Sequence, residues 1–186
     1  MRTFPSGTKA ELLDSFARQS LWEAGLDYRH GNFNSKYKIN NLIDIFSQGT
    51  GHGVGALLNV HELPIITYRK SSEIGVKENM IITNEPGYYE DGKFGIRIEN
   101  CMLTIKVNTP YCYAPGVEFL QFEPLTLVPI QREFIDVNLL SNEELKWLNN
   151  YHSKCAEIVG PELEKLNKLK VRDWLLEQTK PLMKSN

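Results

Sequence analysis

From Gly49 to Glu99 the chain carries a pattern that few folds can accommodate. Glycines at 49, 51, 53 and 55 surround His52 and let the backbone approach closely, as the base of a cleft requires. Met80–Thr83 is apolar and β-prone, Asp91-Gly92 is a turn signal, and Phe94 to Val107 alternates as one long strand. On that strand Ile96, Ile98 and Asn100 are expected on one face, with Arg97, Glu99 and Cys101 on the other. Val117 to Ile130 predicts a further strand, interrupted at Pro124. Antiparallel pairing of these runs is the economical arrangement.

Helices flank this β-rich stretch. Thr8 and Glu11 have capping-box spacing, and Leu13, Phe16, Ala17, Leu21 and Ala24 recur at helical intervals to form one buried face, closed by Gly25. Near the C-terminus Ser141 and Glu144 form a second box. Leu145, Leu148, His152, Cys155 and Val159 follow; Gly160-Pro161 should end that helix and begin another, which carries Leu163, Leu166, Trp174 and Leu175 toward Pro181. Residues 32–48 differ in texture, with four asparagines and a poorly patterned first half, and read as an insertion looped out of the domain. One α+β domain with no internal linker is expected, its C-terminal helical segment spanning about 141–180.

A chain of 186 residues can bury a core, and 41% hydrophobic with 24% charged residues is a globular composition. A net charge of -2 implies no polybasic surface, so neither nucleic acid nor membrane is an expected partner. The N-terminus lacks the apolar core of a signal peptide, and no apolar run approaches membrane-spanning length. Cys101, Cys112 and Cys155 lack metal-ligand spacing and read as reduced thiols, which makes the cytoplasm the expected compartment.

The chemistry-bearing residues are His52, His61, Glu85 and Glu99. One imidazole and two carboxylates on separate segments can converge on a divalent ion; carboxylates suit Mn²⁺ and Mg²⁺, and the imidazole shifts preference toward transition metals. Arg97 lies two residues from Glu99 on the predicted strand, placed to hold a carboxylate beside the ligands. Each residue also has a plain reading: a strand glutamate on a solvated face, a hydrogen-bonded structural His61, a core His152. The glycines do not have P-loop spacing, and no Lys-Ser/Thr follows them.

The segments GTGHGVGALLNVHE, TNEPGYYEDGKFGIRIEN, FEPLTLVPI and the WLNNYH helix resemble, in this order, the C-terminal catalytic domain of eukaryotic-type Xaa-Pro aminopeptidases. The likeness runs from about Phe4 to Leu182, interrupted by 32–48. It implies a pita-bread fold, here incomplete, and hydrolysis of peptides with proline at the second position. It further implies two Mn²⁺ ions held by two Asp, one His and two Glu, and homodimers built partly through this domain. The metal histidine falls on His52 and the glutamates on Glu85 and Glu99. His61 matches a histidine that contacts substrate, Arg97 the arginine beside the ligands, and Glu85 is the candidate proton shuttle.

The chain departs from that pattern twice. The family's two aspartates lie upstream, eleven positions apart; before Gly49 the only acids are Glu11, Asp14, Glu23, Asp27 and Asp44, and no two of these have that spacing. Two carboxylates cannot neutralise two divalent ions, so at most one weakly held ion and little activity are expected, with an exposed strand edge where the hairpin is missing. The family also places a substrate-site histidine four residues before the metal histidine, where this chain has Gln48; His30 is the other candidate for that role. The 32–48 segment, rich in residues with A/T-rich codons, suggests a retained intron. A non-catalytic binding or dimerisation module on the same scaffold is the competing expectation.

Overall fold

The computed structural model describes residues 3–28, 49–57, 59–68, 73–90, 92–111 and 113–184. The expected insertion 32–48, both candidates for the extra histidine position (His30 and Gln48), Asp91 and Cys112 lie outside the described residues. The chain divides into two compact units, 1–125 and 126–186.

The first unit is built on a six-stranded antiparallel sheet. Its strands are β1 (Phe4–Pro5), β2 (Gly51–Gly53), β3 (Glu62–Ile66), β4 (Ile81–Asn84), β7 (Asn100–Val107) and β8 (Phe119–Pro124), in the spatial order β1-β8-β7-β4-β2-β3. A separate hairpin pairs β5 (Gly87–Glu90) with β6 (Phe94–Arg97), and Gly92 takes a φ of 72° in its turn. Helix α1 (Ala10–Glu23) contributes Ala10 and Leu13 to a core with Phe4, Ile66, Val76, Ile82 and Leu120. Gly25, just past its end, has the left-handed φ of 71° that a helix stop there requires.

Three expectations for this unit are corrected. The Thr8–Glu11 box does not cap α1: Lys9 occupies the cap position, in a bridge to Gly75, and Thr8 Oγ1 donates to the Pro5 carbonyl instead at 2.6 Å. The inward face of α1 is not an apolar stripe, because it buries Asp14 and Arg18 while Phe16 is exposed. The long strand over 94–107 breaks at Ile98–Glu99: β6 bonds only to β5, whereas β7 bonds to β4 and β8. Strand alternation therefore does not carry across the break, and Ile96 and Ile98 are exposed rather than core-facing.

In the second unit, short 3-10 turns at Arg132–Phe134 and Val137–Leu139 precede α2 (Asn142–Lys165) and α3 (Leu169–Gln178). The Ser141–Glu144 capping box is formed in full. Pro161 does not end the helix; α2 runs through it and stops at Leu166, where Asn167 adopts a φ of 52°. A single proline removes one intrahelical bond, which the packing of Val159 and Leu163 against Tyr151, Cys155 and Leu175 offsets. His152 is fully buried, as a core residue should be, and its Nε2 accepts the Ile130 N–H at 3.1 Å. Among the described residues no helix is long and apolar enough to cross a membrane.

Candidate metal centre

His52 sits mid-strand on β2, flanked by glycines whose missing side chains make room for two neighbours. A Cβ at Gly51 would collide with the Thr83 carbonyl, and one at Gly53 with the Leu63 carbonyl. Only glycine lets β2 lie this close to β3 and β4. Glu85 follows the last residue of β4 directly, and its N–H donates to the Thr50 carbonyl at 2.6 Å.

The two side chains meet. His52 Nδ1–H donates to the Gly53 carbonyl at 2.9 Å, which leaves Nε2 facing Glu85 Oε1 at 3.2 Å. Glu85 Oε1 also accepts the Thr83 hydroxyl at 3.0 Å, and Thr83 Oγ1 in turn receives the His52 N–H at 3.0 Å. The other oxygen, Oε2, lies 3.2 Å from an Arg97 guanidinium nitrogen. Both His52 and Glu85 are buried, at 5% and 7% exposure, so this polar cluster stands largely out of solvent.

The electrostatics follow from that arrangement. Burial alone would raise the Glu85 pKa, but the bonds from His52 and Thr83 and the charges of His52 and Arg97 outweigh it and hold the carboxyl below its usual range. Burial would likewise discharge His52, but the bond to Glu85, the Gly53 carbonyl and the charges of Glu85 and Glu99 outweigh it and push the imidazole up.

Glu99, in the break between β6 and β7, is exposed and is felt at His52 through its charge. His61 is exposed and packs edge-on against His52, ring centroids 4.5 Å apart. Arg97 also lies over the Tyr89 ring, 5.7 Å from its centroid. Sequence reasoning missed Thr83 and Tyr89. The spacing of Thr83 on β4, two residues before Glu85, was the available signal; nothing local marked Tyr89.

These residues can be tested against a divalent ion by distance and by charge. Ligands about 2.1 Å from one ion and at right angles to each other lie roughly 3 Å apart, so the 3.2 Å between His52 Nε2 and Glu85 Oε1 suits two donors of one shared ion. Among the described residues no group of three or more His, Cys, Asp and Glu side chains is gathered closely enough to hold a metal. The arrangement fits part of a shell rather than a closed one.

Comparison with known proteins shows the family. Residues 1–106 match the model of "Metallopeptidase family M24", and residues 118–182 that of the "C-terminal region of peptidase_M24". The chain is 46% identical over 182 residues to aminopeptidase P2 of Arabidopsis thaliana, with 97% of this chain and 22% of that protein covered. It is 41% identical over 179 residues to Xaa-Pro aminopeptidase 2 of Homo sapiens, covering 96% of this chain and 23% of that protein. A solved X-prolyl aminopeptidase from Caenorhabditis elegans, described as a cytosolic enzyme with a di-nuclear active site, superposes with a TM-score of 0.77 at 39% identity. That match covers 97% of this chain and 26% of the neighbour. The α+β pita-bread architecture is the one found. The chain spans about a quarter of the length of the curated relatives it matches.

Proposed function

Since the chain belongs to metallopeptidase family M24, in its Xaa-Pro aminopeptidase branch, we propose that it is the part of such an enzyme that brings His52, Glu85 and Glu99 to a divalent-metal site. The reaction is hydrolysis of the bond between an N-terminal residue and a following proline. The observation that carries this reading is His52 Nε2 turned toward Glu85 Oε1 at 3.2 Å, with Nδ1 already committed to the Gly53 carbonyl. A fixed tautomer that presents one nitrogen beside a carboxylate is how histidine ligands are commonly prepared.

A bound metal, Mn²⁺ in our reading, supplies Lewis acidity that activates water and polarises the scissile carbonyl. The chain's own residues do the rest. Glu85 is kept ionised by Arg97, Thr83 and His52, so it can accept a proton at its carboxylate. Arg97 fixes which Glu85 oxygen faces His52. In this reading His61, exposed beside the His52 ring, is the group that meets a substrate carbonyl. The neighbour's description as cytosolic supports a cytoplasmic location.

These 186 residues alone hold at most one ion, weakly, and do not turn over. Glu85 and Glu99 cannot offset two divalent charges, and leaving charge uncompensated in a cleft is costly. A second reading, a non-catalytic module that binds a partner or a second copy, draws support from the lack of a third gathered ligand among the described residues.

Mn²⁺ titration followed by electron paramagnetic resonance, with an Arg-Pro-Pro peptide assay on the same sample, tests both readings. We expect one weak site, lost in Glu85→Gln, and no release of arginine. Turnover that Glu99→Ala abolishes would overturn the inactivity. Absence of any Mn²⁺ binding would favour the module.

A further inference from the structure

Two groups outside the site converge on both ends of Glu85. The Thr50 hydroxyl donates to Asp14 Oδ1 at 2.5 Å and accepts from the Tyr28 hydroxyl at 2.7 Å. Asp14 Oδ2 accepts from Arg18 Nε at 2.7 Å and from the Tyr68 N–H at 2.8 Å. Arg18 also pairs with Asp27 and lies over the Tyr28 ring, 3.8 Å from its centroid. Asp14 and Arg18 are 0% and 1% exposed and Thr50 is 3% exposed, so these three are closed to solvent.

From this cluster two routes lead to Glu85. On the first, the Thr50 carbonyl receives the Glu85 N–H at 2.6 Å, while the Thr50 N–H is tied to the Ile66 carbonyl at 2.8 Å. Thr50 is thus fixed at its N–H, hydroxyl and carbonyl, two residues before His52. On the second, the Tyr28 carbonyl receives the Tyr89 N–H at 3.1 Å, the Tyr89 ring lies under Arg97, and Arg97 pairs with Glu85 Oε2. One route reaches the Glu85 backbone and the other its carboxylate, and the two are joined at the Thr50 hydroxyl, which Asp14 and Tyr28 hold.

A buried ion pair contributes little net stability against a well-packed apolar alternative, because desolvation offsets its attraction. What it does impose is a single arrangement, since every partner must be in place for its polar atoms to be satisfied. We propose that Asp14 and Thr50 are positioning residues, which hold Glu85 and His52 in the facing geometry that a metal ion needs. Neither side chain hydrogen-bonds to the Glu85 carboxylate or the His52 imidazole; both act through the backbone at residue 50 and through Tyr28. This inference rests on the reading of His52 and Glu85 as metal-binding residues.

The test uses the 186-residue chain with Thr50→Val and Thr50→Ser, read by backbone amide hydrogen exchange and by Mn²⁺ affinity. In Thr50→Val the Glu85 amide should exchange about tenfold faster while the Ile82 and Thr104 amides of the sheet keep their rates. Mn²⁺ should bind about tenfold more weakly, and Thr50→Ser should restore both quantities. If Thr50→Val does not fold, Tyr28→Phe removes only the outer hydroxyl and should give the same selective change at Glu85, on the order of threefold. Unchanged exchange at Glu85, or equal acceleration at Glu85, Ile82 and Thr104, would overturn the proposal. If the wild-type chain binds no Mn²⁺, the metal reading fails, and the exchange rates still decide whether the positioning role holds.

Discussion

The Tyr28 hydroxyl and Thr50 Oγ1 lie 2.7 Å apart, joining two residues that stand on either side of the 29–48 segment. The Thr50 hydroxyl also donates to Asp14, so both flanks of that segment meet the first helix through these contacts. Deleting 31–48 leaves Arg29, His30 and Gly49 to connect Tyr28 with Thr50, a reach of up to roughly 14 Å. The shortened chain should fold and, by closure entropy alone, gain up to roughly 1.7 kcal/mol of stability, since 3 connecting residues replace 21. His30 would then stand four residues before His52. Thermal unfolding and the dispersion of the Glu85 and His52 amide signals check this; loss of the folded state would refute it.

Gly51→Ala should destabilise the first unit by about 2–3 kcal/mol, the usual scale of overpacking. The added Cβ meets the Thr83 carbonyl, a backbone atom that cannot turn aside. Thr83 also bonds Glu85 and His52, so the shift would be transmitted to the site. Urea unfolding measures the loss. A near-neutral result would mean that β2 and β4 are not packed this closely.

His152 gives the second unit a pH dependence of known sign. Burial, together with the charge of Arg132, pushes its imidazole below the ordinary value of 6.5. The unfolded chain therefore binds the proton more readily, and this group's contribution is fully present above about pH 6.5 and is lost as pH falls below it. His152→Gln keeps an acceptor for the Ile130 N–H and removes the titration. The advantage of wild type over the variant should shrink between pH 7.5 and pH 5, followed by Trp147 and Trp174 fluorescence during unfolding. A constant difference would refute it.

The β5–β6 hairpin leaves Phe94 57%, Ile96 41% and Ile98 44% exposed, three large apolar side chains in a row on or just past one strand. Such an edge invites pairing with another chain. The protein should associate in a concentration-dependent way, and Ile96→Lys should suppress this at a stability cost of about 0.5 kcal/mol or less, as for other surface changes. Sedimentation velocity across a concentration series decides; equal association of variant and wild type would place the contact elsewhere.

What was legible in the sequence is local: the Ser141–Glu144 cap forms as read, and the glycines about His52 mark a close approach of strands. The Arg97–Glu99 spacing misled, because the strand ends between them and Arg97 pairs with Glu85 instead. The failures share a cause. Thr8–Glu11 has the same spacing as a working cap, but Lys9 is held in a bridge to Gly75, far along the chain. The alternation from Phe94 to Val107 is real in the sequence, and yet its two halves bond to different strands.

By itself, then, the sequence determined the family and the α+β antiparallel class, and it marked His52, Glu85 and Glu99 as candidates, because motif order, turn chemistry and periodicity are properties of neighbouring residues. Only the tertiary structure decided that His52 meets Glu85, that β6 and β7 part at Ile98–Glu99, and that α1 turns Asp14 and Arg18 inward. Burial and long-range pairing depend on which distant segments arrive together: Thr50 and Asp14 are 36 residues apart, and no local pattern could show that the hydroxyl of one completes the carboxylate of the other.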